Sequence, residues 1–148
     1  RLALSKGKRV VVAESLTGGM IASRIVNVAG SSCVLNEGLV TYTNASKVRR
    51  LHVKLSTLQR YGAVSRQTAK EMVEGLLTND SDFGVATTGC AGPSSDENDT
   101  PIGLAYIAIA DHKGVDVHEV NFEGDRNQIR KSVTDMALYL LLEKIKNN

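Results

Sequence analysis

The sequence contains no tryptophan, only two phenylalanines and four tyrosines, and its formal net charge at pH 7 is only +2. Unpaired nucleic-acid bases stack on aromatic side chains, and duplexes attract strongly basic surfaces, so we expect no nucleic-acid partner. No apolar run approaches the roughly 18 residues that a membrane-spanning helix needs, so we expect no membrane contact. The sequence shows no signal peptide, and a cytoplasmic protein is the resulting expectation.

Histidine and cysteine are also scarce. The three histidines form no HExxH motif, and the two cysteines lie far apart without the spacing of metal ligands. We therefore expect no metal and no other cofactor. Two buried thiols are the favoured interpretation of Cys33 and Cys90, ahead of a disulfide.

Apolar segments with strand and helix periodicity alternate along the chain, without an internal repeat or a linker. This alternation predicts one domain over residues 1–148, built as a three-layer α/β/α sandwich with a mixed, mostly parallel sheet. Near the C-terminus the segment VDVHEVNF alternates but slips phase, which is typical of a bulged or edge strand. Strands are predicted at residues 9–13, 34–43, 83–87 and 104–110; helices are predicted at 18–29, in short pieces over 45–61, after a cap at Ser65, and after a capping box of Asp125 and Gln128.

Groups of polar residues follow the first three predicted strands, at 15–19, 42–47 and 88–93. Open α/β sheets bind ligands in the crevice beyond the carboxyl ends of their parallel strands. We therefore expect these three groups to converge on one ligand site.

Ser15 lies where the first strand turns sharply into a helix, a geometry that can expose a hydroxyl nucleophile above a sheet. Gly18 and Gly19 would leave free N–H groups at the helix N-terminus, which is a favourable site for an oxyanion or a phosphate. The alternative is plain helix capping by Ser15 or Thr17, with glycines for close packing.

A serine nucleophile needs a base, and no Ser-His-Asp order is evident in this sequence. Lys47, which follows Tyr42 and Asn44, can serve if burial lowers its pKa from about 10.4 towards neutrality. The alternative is a solvated turn lysine. The spacing of Tyr42 and Lys47 does not fit the Tyr-x-x-x-Lys pair of dehydrogenases.

The third polar group belongs to the segment TTGCAGP, in which Gly89 and Gly92 permit a close approach of backbone to ligand. An ordinary surface loop is the alternative interpretation. Arg126, in the first turn of the last predicted helix, and Arg130, one turn later, could together hold a phosphate. Arginines at such positions are also found simply solvated.

Six short motifs occur in order between Val10 and about Leu142: AESLTGG (13–19), GSS (30–32), GLVTYTNASK (38–47), GAVS (62–65), TTGCAGP (87–93) with PIG (101–103), and FEGDR (122–126). Together they resemble the motifs of the C-terminal domain of the CinA proteins, the nicotinamide-nucleotide amidase family, whose first motif reads AESCTGG. Leu16 stands where that family has cysteine, and Glu37 stands where it commonly has glycine. The loop over residues 94–100 is acidic where relatives are glycine-rich.

The resemblance implies hydrolysis of the carboxamide of nicotinamide mononucleotide, without a metal, to nicotinate mononucleotide and ammonia. It implies Ser15 as the nucleophile, Lys47 as its base and Tyr42 as an assistant of the pair. The expected partner is a small-molecule nucleotide, and a homodimer is the default for a small domain of this kind. A non-catalytic nucleotide-binding module that uses the same crevice remains the alternative.

Substrate binding is expected from residues in all of these segments. The carboxylate of Glu14 is expected to face away from Lys47, because it would otherwise favour the ammonium form of the lysine. The expected substrate-binding residues are Glu14, Thr17, Gly18, Gly19, Asn44, Thr88, Gly89, Ala91, Gly92, Arg126 and Arg130.

Overall fold

The computed structural model describes all residues from 1 to 148 and contains five strands and six α-helices. The strands are β1 (Val10–Glu14), β2 (Leu35–Val40), β3 (Phe83–Gly89), β4 (Leu104–Asp111) and β5 (Gly114–Asn121). The helices are α1 (Leu2–Ser5), α2 (Met20–Val26), α3 (Asn44–Leu51), α4 (Leu55–Tyr61), α5 (Arg66–Leu76) and α6 (Arg126–Lys146), and Ser31–Cys33 forms a 3-10 turn.

The five strands form one mixed sheet in the order β2-β1-β3-β4-β5. Strand β1 pairs in parallel with β2 and β3, whereas β3 with β4 and β4 with β5 pair antiparallel. The mixed sheet is thus confirmed, with parallel and antiparallel pairings in equal number. Because β1, β2 and β3 run in the same direction, their carboxyl ends meet at one edge of the sheet.

Alternate residues of each central strand face opposite layers of helices, as the pleat of a strand requires. In β1, Val10 and Val12 belong to the core packed against α1, α2 and α6, while Val11 and Ala13 belong to the core packed against α3, α4 and α5. The three-layer α/β/α architecture is confirmed. None of the helices combines the length and the apolar character needed to cross a bilayer.

The structure corrects two details of the strand and helix predictions. Strand β5 is an edge strand, as predicted, but it pairs with β4 without interruption, and the irregularity of register lies between β1 and β2, beside Asn36. The helix expected from residue 18 begins at Met20. Gly18 and Gly19 have φ angles of +57° and +98°, which a right-handed helix does not contain.

Both predicted helix caps are confirmed. The Ser65 hydroxyl accepts a hydrogen bond from the N–H of Thr68 at the start of α5. Asp125 and Gln128 form a reciprocal capping box at the start of α6, with each side chain bonding the other residue's N–H. These caps fix where α5 and α6 begin, and α6 carries both arginines of the predicted site.

Gly75 allows α3 to approach α5 closely. A Cβ at this position would collide with the carbonyl oxygen of Leu51, the last residue of α3. The collision is with backbone, so a change of side-chain rotamer cannot relieve it. The helix α3, which also carries Lys47, can therefore pack in this position only because residue 75 is a glycine.

We expect Gly75→Ala to destabilise the protein by about 1–3 kcal/mol, the usual cost of overpacking. The expected sign is opposite to that of helix propensity, since alanine in a helix interior is favoured over glycine by about 1 kcal/mol. Urea unfolding measures the difference. Gly114→Ala is the matched control, because nothing lies within 4 Å of a Cβ there. A stabilised Gly75→Ala variant would contradict the close approach.

Candidate active site

A pocket of about 240 Å³ lies at the edge of the sheet where β1, β2 and β3 end. Residues from all three predicted polar groups line it, and the start of α6 contributes Arg126. The convergence expected from the sequence is therefore present. The predicted site residues that line the pocket are Ser15, Tyr42, Asn44, Lys47, Thr88, Gly89, Ala91, Gly92 and Arg126.

Ser15 is the first residue after β1, and backbone hydrogen bonds hold it on both sides. Its N–H donates to the carbonyl of Thr87 in β3, and its own carbonyl accepts from the N–H of Gly18. The side chain is largely buried, with 8% of the residue exposed. The turn thus presents a hydroxyl at the floor of the pocket.

Lys47 lies in the first turn of α3, and its amine reaches back to the end of β1. Its Nζ is 3.1 Å from Ser15 Oγ and donates a hydrogen bond of 2.8 Å to the carbonyl of Thr41. The residue is only 1% exposed. The Thr43 hydroxyl, which accepts from the N–H of Ser46, caps α3 and fixes the start of the helix.

Burial determines the ionisation of Lys47. Desolvation of its ammonium form lowers the pKa of Lys47 from 10.5 to about 8. No carboxylate forms a salt bridge with the amine. A lysine with this pKa is neutral in a substantial fraction of molecules at mildly alkaline pH, which a general base requires.

Arg126 joins two sides of the pocket. It donates one hydrogen bond of 2.8 Å to the Tyr42 hydroxyl and another of 2.6 Å to the carbonyl of Gly92. A guanidinium carries five N–H donors, so further donors remain for a ligand. Tyr42 is itself 56% exposed and stands at the rim of the pocket, where it contacts Arg126.

Glu14, which is predicted to bind substrate, does not line the pocket. Its two carboxylate oxygens accept hydrogen bonds from the N–H groups of Ile21 and Ala22, both at 3.0 Å. The carboxylate thus occupies the N-terminus of α2 and is directed away from Lys47, as expected. At the helix end where an anion site is predicted, the protein therefore supplies its own carboxylate, and the Gly18 N–H bonds the Ser15 carbonyl.

Thr17, Gly18, Gly19 and Arg130, which are also predicted to bind substrate, lie outside the pocket lining. The Thr17 hydroxyl is completely buried and lies 2.9 Å from the Thr87 hydroxyl. Gly18 and Gly19 form the turn between Thr17 and α2. Arg130 is directed at this turn, with its Nε donating to the carbonyl of Leu16 at 2.7 Å.

Several pocket residues are absent from the sequence-based set. Cys90 lies in the TTGCAGP motif and is buried, whereas Cys33 is exposed, which corrects the expectation of two buried thiols. Ala63 and Val64 belong to the GAVS motif before α5, which is part of the family resemblance but predicts no site residue by itself. The additional lining residues are Leu16, Ala63, Val64, Cys90, Ser94, Ser95 and Asp96.

Asp96 organises the acidic loop at the pocket wall. Its carboxylate accepts hydrogen bonds from the N–H groups of Asn98 and Thr100 and from the Thr100 hydroxyl. Burial raises the pKa of Asp96, but the Thr100 and Asn98 hydrogen bonds outweigh it, and the pKa is lowered overall. The ionised oxygens are therefore engaged within their own loop.

Two other features help to locate the chemistry. No group of three or more His, Cys, Asp or Glu side chains is arranged to hold a metal ion.

A cavity of about 200 Å³ between α1, α2 and α6 is lined mostly by apolar side chains and lies near the amino ends of the strands. The polar pocket is preferred as the functional site because it alone contains a serine hydroxyl within reach of a buried amine.

Comparison with known proteins gives one consistent family. The model of the CinA C-terminal domain matches residues 1–145. A CinA-like protein of Endomicrobium trichonymphae is 46% identical over 146 residues, which cover 98% of this chain and 34% of that protein. The chain spans about a third of the length of the curated relatives that it matches.

Solved structures agree with these matches. A CinA superfamily protein from Klebsiella pneumoniae superimposes with a TM-score of 0.95 and 30% identity, covering 100% of this chain and 93% of the other. The competence/damage inducible protein CihA from Agrobacterium tumefaciens gives a TM-score of 0.90 and 41% identity, covering 95% and 87%. The likeness therefore extends over the whole fold, including the segments that line the pocket.

Burial of Lys47 has a consequence for the dependence of stability on pH. Between pH 8 and pH 10.5 the unfolded lysine keeps a proton that the folded lysine has lost, so stability rises with pH in this window. The full depression of the pKa corresponds to about 3 kcal/mol. We expect the wild type to gain up to this amount relative to Lys47→Met as the pH rises from 8 to 10.5, measured by urea unfolding.

The control for this measurement is Lys113→Met, at an exposed lysine in the β4–β5 turn. Its stability relative to the wild type should change much less over the same pH range. Equal pH dependence of the two variants would show that the Lys47 amine is not destabilised by burial.

Proposed function

This chain belongs to the CinA C-terminal domain family, and we propose that it hydrolyses the carboxamide of nicotinamide mononucleotide to nicotinate mononucleotide and ammonia. The observation that carries the proposal is the contact of 3.1 Å between Lys47 Nζ and Ser15 Oγ at the floor of the pocket. A serine beside a buried amine is suited to acyl transfer without a histidine.

In the first step, the neutral amine of Lys47 accepts the proton of the Ser15 hydroxyl while Oγ attacks the carboxamide carbon. The tetrahedral intermediate then expels ammonia, whose nitrogen receives the proton from the Lys47 ammonium. A serine ester of the nicotinate group remains. The Thr41 carbonyl, 2.8 Å from Nζ, keeps the amine directed at Ser15 throughout these proton transfers.

In the second step, Lys47 takes a proton from a water molecule that attacks the ester carbon. Collapse of this intermediate returns the proton to Ser15 Oγ and releases the carboxylic acid. One amide bond and one water molecule are consumed, and one ammonia and one nicotinate mononucleotide are formed. The same amine serves both halves of the reaction, as general acid–base catalysis in acyl transfer requires.

Backbone N–H groups at the pocket supply candidate donors for the negative oxygen of the intermediate. The N–H groups of Leu16, Ala91 and Gly92 form no hydrogen bond within the chain, and all three residues line the pocket. In hydrolases with a nucleophile at a strand-to-helix turn, the residue after the nucleophile donates to the oxyanion. Leu16 is that residue here.

Arg126 supports the recognition of a nucleotide. Its guanidinium stands at the rim of the pocket, and its contacts to Tyr42 and Gly92 leave N–H donors available for a phosphate. We assign the substrate phosphate to Arg126 and not to Arg130, whose guanidinium is directed at the backbone of the Ser15 turn.

We expect the wild type to release ammonia from nicotinamide mononucleotide and Ser15→Ala to lower kcat by roughly four to six orders of magnitude, as loss of the nucleophile does in serine hydrolases. A coupled ammonia assay measures both. Ser23→Ala, at an exposed serine of α2, is the control and should retain activity.

Two results would count against the proposal. A Ser15→Ala variant with more than a few per cent of wild-type turnover would exclude Ser15 as the nucleophile. A wild type that binds the nucleotide but releases no ammonia would favour a non-catalytic nucleotide-binding module.

The pH dependence of catalysis tests Lys47. Because the neutral amine is the active form, kcat/KM should rise with pH through one apparent pKa of about 8. Lys47→Arg keeps a positive charge but provides no neutral amine, so it should be nearly as inactive as Lys47→Ala. A Lys47→Arg enzyme that is active with the wild-type acidic limb would show that another group is the base.

A further inference from the structure

Arg130 contacts the backbone of the turn that carries Ser15. Its Nε donates a hydrogen bond of 2.7 Å to the carbonyl of Leu16, and its Nη2 makes a longer contact of 3.5 Å with the carbonyl of Thr17. Gly18 packs directly against the guanidinium, since a Cβ there would lie 2.9 Å from Nη2. Arg130 thus contacts the turn and does not line the pocket.

The Leu16 carbonyl depends on Arg130 alone. The Thr17 carbonyl also accepts from the N–H of Met20, and the Ser15 carbonyl accepts from the N–H of Gly18, but no other group donates to Leu16. Residues 15–19 belong to no strand or helix, so no regular ladder of hydrogen bonds fixes their peptide planes. Without Arg130, the carbonyl of Leu16 would accept no hydrogen bond within the chain.

We propose that Arg130 is a positioning residue for Ser15, which holds the strand-to-helix turn in the conformation that directs the Ser15 hydroxyl at Lys47. Because the peptide group is planar and trans, fixing the Leu16 carbonyl also fixes the direction of the Thr17 N–H. The inference rests on the proposed function for its link to catalysis, but the geometry that it concerns is that of the turn itself.

Two arginines that lie one helical turn apart on α6 are thereby given different roles. Arg126 faces the pocket rim and is assigned to the substrate, so Arg126→Ala should raise KM for the nucleotide more than for the corresponding nucleoside. Arg130→Ala should instead lower kcat about 10- to 100-fold, the equivalent of one charge-assisted hydrogen bond. Its loss should be the same for nucleotide and nucleoside, with KM little changed.

A second measurement follows the reactivity of Ser15 without the substrate. Phenylmethanesulfonyl fluoride forms a bond between Ser15 Oγ and sulfur, fluoride leaves, and the hydroxyl proton passes to Lys47. We expect Arg130→Ala to slow this labelling by a similar factor, and guanidinium chloride at non-denaturing concentration to restore part of the rate. Arg130→Lys, which keeps the charge but not the planar fork, should be intermediate.

Arg24→Ala is the matched control. Arg24 on α2 also binds α6, through a salt bridge of 2.6 Å to Asp135, but it forms no hydrogen bond with residues 15–19. This variant should label at the wild-type rate. Thermal unfolding of all variants shows which are folded, and Arg130→Lys carries the test if Arg130→Ala does not fold.

The outcomes are distinct. Unchanged labelling and kcat in the folded Arg130 variants would overturn the proposal, as would a loss confined to KM for the nucleotide, which would make Arg130 a phosphate ligand. Absence of Ser15 labelling in the wild type would overturn it too. If labelling depends on Arg130 but the wild type releases no ammonia from nicotinamide mononucleotide, the positioning role stands and the proposed substrate falls.

Discussion

The amine of Lys47 lies where water scarcely reaches, and its neighbours are one carbonyl and one hydroxyl. Holding a titratable group there is unfavourable in the charged form, and the rest of the fold must supply both the stability and the alignment. Three parallel strands ending at one edge bring Ser15 and the β2–α3 turn together. The close packing of α3 on α5 at Gly75 holds the C-terminal end of the helix that carries the lysine.

Charges around the site are separated by function. The buried carboxylate of Glu14 is engaged by the N-terminus of α2, where it completes the helix without opposing the loss of a proton from Lys47. Arg126 bridges the rim between Tyr42 and Gly92, and Arg130 binds the turn that follows Ser15. Each of these three charged groups thus has its own hydrogen-bond partners. The floor of the pocket is formed by the Ser15 hydroxyl and the Lys47 amine.

Much of this arrangement could be predicted from the sequence, because it depends on local patterns. Strand and helix periodicity located the sheet, the turn residues after three strands located the pocket, and side-chain caps located the starts of α5 and α6. The partners of Glu14 and Arg130 could not be predicted, because they depend on how α2 and α6 pack against the turn. The start of α2 was misplaced because periodicity does not reveal the left-handed conformation of Gly18 and Gly19.

The loop wall formed by Asp96 differs from the other walls of the pocket in how it is held. Its carboxylate bonds only residues of the same loop, Asn98 and Thr100, and no hydrogen bond joins it to Ser15 or Lys47. A loop that carries its own hydrogen bonds can change in sequence without disturbing the contact between Ser15 and Lys47 beneath it. Under the proposed function, substrate preference and reactivity can therefore change through separate mutations, and exchanging this loop between relatives is a direct route to altered specificity.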